Sequence, residues 1–201
     1  DILNRKKYPK DEIPPKIDIP KETRYVKESH SYTNKYFKEN YGNMGLFNYP
    51  ITFDASEKWF DDFLKNRFMM FGDYEDAIVK DETTLNHSIL SPLMNVGLLS
   101  PKHVISKSLD FSKNNNISIN STEGFIRQII GWREFIRGIY ECRGSEERTT
   151  NFWKFKKKIP ASFYEGTTGI LPIDQTIKKV LKTGYCNHIA VSYTHLRAHE
   201  T

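Results

Sequence analysis

The feature that most constrains the fold is a run of apolar residues at helical spacing between residues 121 and 142. An apolar residue recurs every three or four positions, which places the whole set on one face of an α-helix. The set comprises Phe125, Ile129, Trp132, Ile136, Ile139 and Tyr140. Asn120, three residues before Glu123, or else Ser121 is the expected start, and Gly144 is the expected stop. This is the strongest helix that the sequence predicts.

A second helix is predicted near residue 54, where the pattern first becomes helical. Asp54 and Glu57 have the spacing of a capping box, in which each side chain accepts a main-chain N–H of the first turn. One buried face follows, formed by large apolar side chains, namely Trp59, Phe60, Phe63, Leu64 and Phe68.

Two further helices have recognisable start or stop signals. Ser100 is expected to cap a helix that opens with Pro101 and breaks in the asparagine run at 114–116. A shorter helix is expected to follow Pro172 and to stop at Gly184. No segment shows a convincing strand alternation, so the folded part is predicted to be all-α.

Residues 1–50 are expected to form a linker or an extended arm along the surface. They are rich in Lys, Glu, Pro and Tyr, and Pro14, Pro15 and Pro20 prevent a long helix there. A disordered tail has the same composition. The predicted organisation is therefore an extended segment at 1–50, a helical domain at 51–189 and a tail at 190–201.

Charge and cysteine content narrow the function classes only coarsely. The 30 Lys and Arg residues exceed the 25 Asp and Glu residues, and a net charge of +5 permits a polyanionic partner but also serves plain solubility. No apolar run approaches the roughly 20 residues of a membrane span, so no membrane partner is expected. Cys142 and Cys186 form no CxxC pair, which favours a reducing, cytoplasmic location.

The stretch 83–101 has the composition of a phosphate-binding segment. Ser88 and Ser91 lie beside apolar Ile89, Leu90 and Leu93, where a uniformly buried helix would not place two hydroxyls without a partner. Hydroxyls and free main-chain N–H groups are the donors that a phosphate or pyrophosphate needs. The alternative is that both serines only cap a helix.

Five longer motifs follow one another along the chain, from the first residues almost to the last. They are Asp1-Ile-Leu-Asn-Arg-Lys, Phe71-Gly-Asp-Tyr-Glu-Asp-Ala, His87-Ser-Ile-Leu-Ser-Pro, Glu123-Gly-Phe-Ile-Arg-Gln-Ile-Ile-Gly-Trp-Arg-Glu-Phe and Gly184-Tyr-Cys-Asn-His-Ile. In this order they resemble the prokaryotic photolyase-related branch of the photolyase/cryptochrome family, which includes bacterial (6-4) photolyases and cryptochrome-like photoreceptors. Several motifs in register make the resemblance far more specific than any one of them would.

The resemblance implies the N-terminal part of a helical FAD-binding domain, preceded by an extended linker. It implies a protein that repairs UV-induced pyrimidine photoproducts in DNA, by light-driven electron transfer from reduced FAD. The alternative within the family is a blue-light photosensor without repair activity. A helical basic module without a cofactor is the third interpretation. A monomer is expected.

Cofactor-binding positions follow from the match. The resemblance implies that His87, Ser88, Leu90 and Ser91 form the loop that binds the FAD phosphates, and that Tyr74 lies on the flavin side. It also implies a basic residue close to the cofactor at Arg133, whose guanidinium suits a diphosphate. Without the resemblance, Tyr74 could simply seal a helix end, and Arg133 with Arg137 could form a solvated face.

Lesion-binding and catalytic positions are implied in the same way. Gln128 and Trp132 match positions that face a flipped pyrimidine, where an indole stacks and an amide reads the base edge. Without the resemblance, the position of Trp132 on the apolar stripe favours a core residue over a binding surface. The family's His-His pair reads Asn187 and His188 here, so His188 is the expected proton donor and Asn187 cannot act as a general acid.

Three departures from the family pattern define further expectations. Pro172 stands where iron–sulfur members carry a cysteine, so no cluster is expected. The tail at 190–201 is unlike any family segment and resembles the translation of a sequencing adapter; the spacing of its His195 and His199 is attributed to chance. Because the family continues beyond this tail, the chain is expected to be a fragment.

Overall fold

The computed structural model describes residues 6–40, 44–45, 47–79, 82 and 84–184. Of the described residues, 59% are helical and none is in a strand, which confirms the all-α prediction. The chain divides into two compact units, one formed by residues 1–17 and 49–155 and the other by residues 18–48 and 156–201. None of the helices in the described ranges is both long and apolar enough to span a bilayer.

The described residues of the first unit form five α-helices and one 3₁₀ turn. The α-helices are α2 (Phe53–Asn66), α3 (Phe71–Tyr74), α4 (Ser91–Asn95), α5 (Pro101–Asn114) and α6 (Ile119–Thr149), and the 3₁₀ turn (Phe68–Met70) joins α2 to α3. Their shared core is aromatic at its centre. The ring of Phe125 on α6 lies 4.9 Å from that of Phe63 and 5.4 Å from those of Phe68 and Phe71. The apolar face predicted for the second helix is therefore confirmed as core.

Two of the three predicted helix starts are wrong by a few residues. Thr52, rather than the pair at 54 and 57, caps α2, with its hydroxyl accepting the N–H of Ala55 at 3.3 Å. Ser118, rather than residue 120 or 121, caps α6 and accepts the N–H of Ser121 at 3.2 Å. Ser100 caps α5 as predicted, accepting the N–H of His103. An N-cap residue stabilises a helix by ~1 kcal/mol, whichever of several neighbouring candidates provides it. Packing therefore decides which of them becomes the cap.

The longest helix, α6, extends past its predicted stop. Its 31 residues span about 46 Å at 1.5 Å per residue, and Gly144 lies inside it rather than after it. The first turns are buried through Phe125 and Ile129. Beyond them the same apolar stripe is uncovered: Trp132, Phe135, Ile136 and Tyr140 are 58–63% exposed.

A tight contact attaches the start of α6 to α3. The Ser121 hydroxyl donates to the Met69 carbonyl at 2.7 Å and accepts the Gly72 N–H at 3.0 Å. A Cβ added at Gly72 would lie 2.7 Å from the main chain of Asn120, which real structures do not tolerate. Only glycine therefore permits this approach.

The second unit contains α1 (Arg24–Phe37), α7 (Ser162–Glu165) and α8 (Leu171–Thr183). Helix α1 lies within the segment that was expected to be extended. It begins after Pro20 and is capped by Thr23, and Val26 is its buried residue. Helix α8 follows the prediction: Ile173 and Ile177 are buried, and Gly184 ends it in the left-handed conformation, at φ 66°.

Candidate functional site

The segment before α4 is held by two side chains of α2 and its C-terminal end. The indole N–H of Trp59 donates to the carbonyl of Ser88 at 3.3 Å, and the Arg67 guanidinium donates to the carbonyl of His87 at 3.2 Å. Both peptide bonds concerned are trans, so each N–H points opposite to its C=O. The N–H groups of Ser88 and Ile89 consequently point away from the donors that hold the loop.

Arg67 is a buried cation with a specific partner. Its side chain has no exposed surface, and Nη2 lies 2.8 Å from the Asp62 carboxylate while Nη1 reaches the loop carbonyl. Removing one partner of a buried ion pair leaves an uncompensated charge and costs about 3–5 kcal/mol. The segment before α4 therefore takes up this conformation when the unit folds.

The His87 ring is fixed by main-chain groups on both sides. Its Nδ1 accepts the N–H of Leu85 at 3.4 Å, and its Nε2 lies 3.0 Å from the carbonyl of Glu75. A carbonyl only accepts, so the proton is on Nε2 and the ring is the neutral tautomer. The buried ring of His87 therefore helps to fix the conformation of the loop.

A left-handed residue follows Ser88. Ile89 has φ 53°, which is rare for a β-branched side chain and costs about 1–3 kcal/mol, and Leu90 returns to the right-handed helical region at φ −90° and ψ −13°. Alternation of this kind turns successive main-chain N–H groups toward one concave side, an arrangement known as an anion nest. The side chain of Leu90 is buried in the core, so this residue contributes through its backbone.

The hydroxyls of Ser88 and Ser91 flank this nest. Ser88 is half-buried and Ser91 is exposed, and neither hydroxyl hydrogen-bonds to another residue in the described part of the chain. Helix α4 has Leu90 at its N-cap position and no side-chain capping bond. The alternative that both serines act as capping hydroxyls is therefore not what the structure shows.

Arg133 lies beside α4. Its guanidinium donates to the Ile129 carbonyl of its own helix at 3.0 Å and lies 3.5 Å from the sulfur of Met94. Arg137, one turn further along, is exposed and pairs with Glu141 at 2.9 Å, so it matches the solvated-face interpretation. Among the described carboxylates, none lies within ion-pair distance of Arg133, which keeps this cation available near the loop.

Gln128 and Trp132 belong to one hydrogen-bonded chain that begins at Glu75. The amide nitrogen of Gln128 donates to the Glu75 carboxylate, and its amide oxygen accepts the indole N–H of Trp132 at 2.9 Å. The Trp132 ring is 58% exposed and meets Phe135 edge to face at 6.1 Å. Trp132 is therefore not a core residue.

The remaining predicted residues do not join this cluster within the described chain. Tyr74 is buried in a separate small apolar cluster with Ala77 and Leu85, where its ring lies 4.7 Å from that of Tyr8, as a residue sealing a helix end would. Asn187 and His188 lie outside the described residues. Pro172 lies in the first turn of α8, in the second unit. The described residues contain no group of three metal-ligating side chains.

Positive charge is divided unevenly between the two units. Residues 1–17 and 49–155 contain 18 Lys and Arg and 18 Asp and Glu, whereas the second unit contains 12 against 7. The whole excess of +5 thus belongs to the second unit, which includes the run Lys156–Lys157–Lys158 and the α8 residues Lys178, Lys179 and Lys182.

Comparison with known proteins gives the family. No protein-family model matches the chain. It is 31% identical over 189 residues to a (6-4) photolyase of Agrobacterium fabrum, covering 94% of this chain and 37% of that protein. It is 38% identical over 112 residues, or 55% of this chain, to an uncharacterized protein of Acanthamoeba polyphaga mimivirus, 85% of which is covered. A cryptochrome DASH, chloroplastic/mitochondrial, of Ostreococcus tauri is 28% identical over 107 residues, which are 49% of this chain and 19% of that protein.

The chain belongs to the photolyase/cryptochrome family, as its motifs predicted. It spans little more than a third of the length of the Agrobacterium photolyase. Two residues of the site, Arg67 and Glu75, had not been singled out from the sequence. Glu75 lies inside a quoted family motif, but Arg67 follows an ordinary amphipathic helix and carries no local signal of its partners 5 and 20 residues away.

Proposed function

We propose that this chain is part of a flavin-dependent photolyase-like protein that acts on UV-damaged DNA. The nest at 88–91 would bind the diphosphate of FAD, and the exposed stripe of α6 would receive the damaged base. The observation that carries the proposal is the left-handed Ile89 between two unbonded serine hydroxyls. Strain of this kind persists where surrounding structure enforces it, and here Trp59 and Arg67 enforce it.

The donors at the loop suit a diphosphate. Main-chain N–H groups and the hydroxyls of Ser88 and Ser91 supply neutral hydrogen bonds, and Arg133 supplies a permanent charge that can fork across two phosphate oxygens. Arg133 reaches the sulfur of Met94 on α4, the helix that begins at Ser91, so both kinds of donor come from the same neighbourhood. This combination fits a dinucleotide better than a neutral ligand.

Bound in its reduced form, FAD would supply an electron to a pyrimidine photoproduct on illumination. The chain's own residues would hold and orient the two reactants. The exposed Trp132 face offers a stacking surface for an extruded base, and the Gln128 amide can hydrogen-bond to its edge. His188 remains the proposed proton donor beside the lesion.

The excess positive charge of the second unit supports DNA as the partner. Its lysines would neutralise phosphates without reading sequence, so binding should weaken steeply as salt increases. The slope of log affinity against log salt is negative, and removing one phosphate contact, for example by Lys156→Ala, should reduce its magnitude by about one.

Ligand titration tests the cofactor site. The 201-residue chain is titrated with FAD, ADP and riboflavin, and we expect the two diphosphates to bind more tightly than riboflavin. Ser88→Ala/Ser91→Ala and Arg133→Ala should each weaken FAD binding about tenfold, the effect of losing one or two good hydrogen bonds. Arg137→Ala and Ser145→Ala are matched controls on α6 and should change nothing. Equal affinity for riboflavin and FAD would overturn the phosphate assignment.

The cryptochrome DASH relative supports photosensing as the second candidate function. A lesion assay separates the two functions. In a complete protein that contains this domain, a repair enzyme consumes the photoproduct under blue light and loses that activity with His188→Ala. A photosensor retains and photoreduces its flavin while the photoproduct persists.

A further inference from the structure

We propose that Glu75 is a positioning residue that fixes the orientation of the Gln128 amide, and so sets the hydrogen-bonding pattern that the α6 surface offers to a damaged base. The inference rests on the proposed function, because it concerns the same base-binding surface. Neither the family motifs nor the relatives assign a role to Glu75.

Glu75 is placed to act on two elements at once. It directly follows α3 and is 5% exposed. Its main-chain carbonyl accepts the proton of the His87 ring at 3.0 Å, while its side-chain carboxylate accepts the Gln128 amide. One residue therefore connects the nest loop to the exposed stripe of α6.

The chemistry of the partners permits one orientation of the Gln128 side chain. An ionised carboxylate has only acceptors, so the amide must present its NH₂ group to Glu75. An indole N–H is only a donor, so the amide must present its oxygen to Trp132. Reversing the amide would place two acceptors together at one end and two donors together at the other. The assignment follows from these partners and does not depend on distinguishing nitrogen from oxygen in the structure.

A fixed amide offers a base a defined pattern. The Gln128 oxygen has a second lone pair beside the exposed Trp132 ring, and the nitrogen has a second proton on the Glu75 side. A pyrimidine stacked on Trp132 presents a ring N–H donor between two carbonyl acceptors, so the Gln128 oxygen can accept from that N–H while the nitrogen donates to one of the carbonyls. With the base held by stacking, a reversed amide would place its NH₂ group against the ring N–H, and this pairing would be lost.

The test uses the 201-residue chain with three variants. Glu75→Gln keeps the shape but can donate as well as accept, so only the exposed Trp132 indole still holds the Gln128 amide in one orientation. Glu75→Gln/Gln128→Glu restores an acceptor for Trp132 but removes the amide protons from position 128. Glu123→Gln makes the same change at an exposed α6 position that pairs with Arg127 at 3.5 Å, and it is the matched control.

Two readouts are needed. The first is the ¹H–¹⁵N signal of the Trp132 indole, identified by its loss in Trp132→Phe. The second is the ratio of dissociation constants for one duplex with and without a pyrimidine photoproduct. We expect Glu75→Gln to shift or split the indole signal and to reduce the lesion preference about tenfold, the effect of one misdirected hydrogen bond. The double variant should restore the signal but not the preference, and Glu123→Gln should change neither.

Failures of the two proposals are distinguishable. An indole signal that is unchanged in Glu75→Gln overturns the role of Glu75, whatever the DNA result. A shifted signal with full lesion preference overturns its role in specificity. A wild-type chain that binds damaged and undamaged duplexes equally overturns the proposed DNA function, and the indole signal then still reports whether Glu75 holds Gln128. If Glu75→Gln fails to fold, the double variant, which keeps a paired carboxylate and amide, is used in the DNA measurement, and full lesion preference in that variant overturns the proposal.

Discussion

The two halves of α6 have the same apolar pattern but opposite surroundings. In the first half, Phe125 and Ile129 are buried against aromatic side chains of α2, the 3₁₀ turn and α3. In the second half, Trp132, Phe135 and Ile136 continue the stripe and are uncovered. Apolar periodicity therefore indicates which face of a helix is prepared for contact, but not whether the contact is made within the same chain. The first half stabilises the fold, and the second half is exposed.

The largest expected effect is at the centre of the buried half. Phe125→Ala removes a ring that contacts Phe63, Phe68 and Phe71, and it should lower the free energy of unfolding by about 3–5 kcal/mol. Denaturant unfolding followed by circular dichroism measures the change. A loss below about 1 kcal/mol would mean that the core around this ring is not packed as described.

The next effect concerns the attachment of α6 to α3. Gly72→Ala places a Cβ against the Asn120 main chain, which cannot move as a flexible side chain could, so we expect a loss of about 1–3 kcal/mol. The same unfolding experiment measures it. Unchanged stability would show that α3 and α6 are further apart than the two hydrogen bonds of Ser121 indicate.

Gly138→Ala, in the uncovered half, should act in the opposite direction. A Cβ at this position meets no atom within 4 Å, and alanine is favoured over glycine inside a helix by about 0.5–1 kcal/mol. We therefore expect a small gain in unfolding free energy. A loss here would be evidence that a described or undescribed part of the chain already covers this side of α6.

The smallest effect is expected on the uncovered stripe itself. Ile136→Ser exchanges two residues of similar helix propensity at a site that is 58% exposed, so stability should change by less than about 0.5 kcal/mol. In contrast, if the proposed function holds, affinity for a damaged duplex should decrease. A large loss of stability would place Ile136 in the core and remove the distinction between the two halves.

Features of the fold were predictable where the residues that specify them lie close together in the sequence. The buried faces of α2 and α8 were found because their apolar residues recur within a few turns, and Ser100 and Gly184 mark helix ends by their own conformational preferences. Helix α1 was missed because its one buried residue is a valine, and its other large apolar side chains, three tyrosines and Phe37, are exposed. The sequence of this segment therefore shows no apolar periodicity from which a helix could be predicted.

Part of the candidate site was predictable in its residues, but its connections were not. Ser88 and Ser91 stood out by composition, whereas the role of the His87 ring depends on Glu75, 12 residues earlier. The Gln128 amide depends on the same residue, 53 positions away. Whether Trp132 belongs to the core or to a surface could not be decided from spacing, because both halves of α6 share one period.

The side chains that hold the nest loop have a kinetic consequence. Trp59 and Arg67 fix two consecutive carbonyls when α2 packs, before any ligand is present. If the proposed function holds, an anion that arrives at residues 88–91 meets main-chain N–H donors that are already in position and needs no loop closure. Its association rate should approach the limit set by diffusion, and differences in affinity among ligands should appear in how quickly they leave.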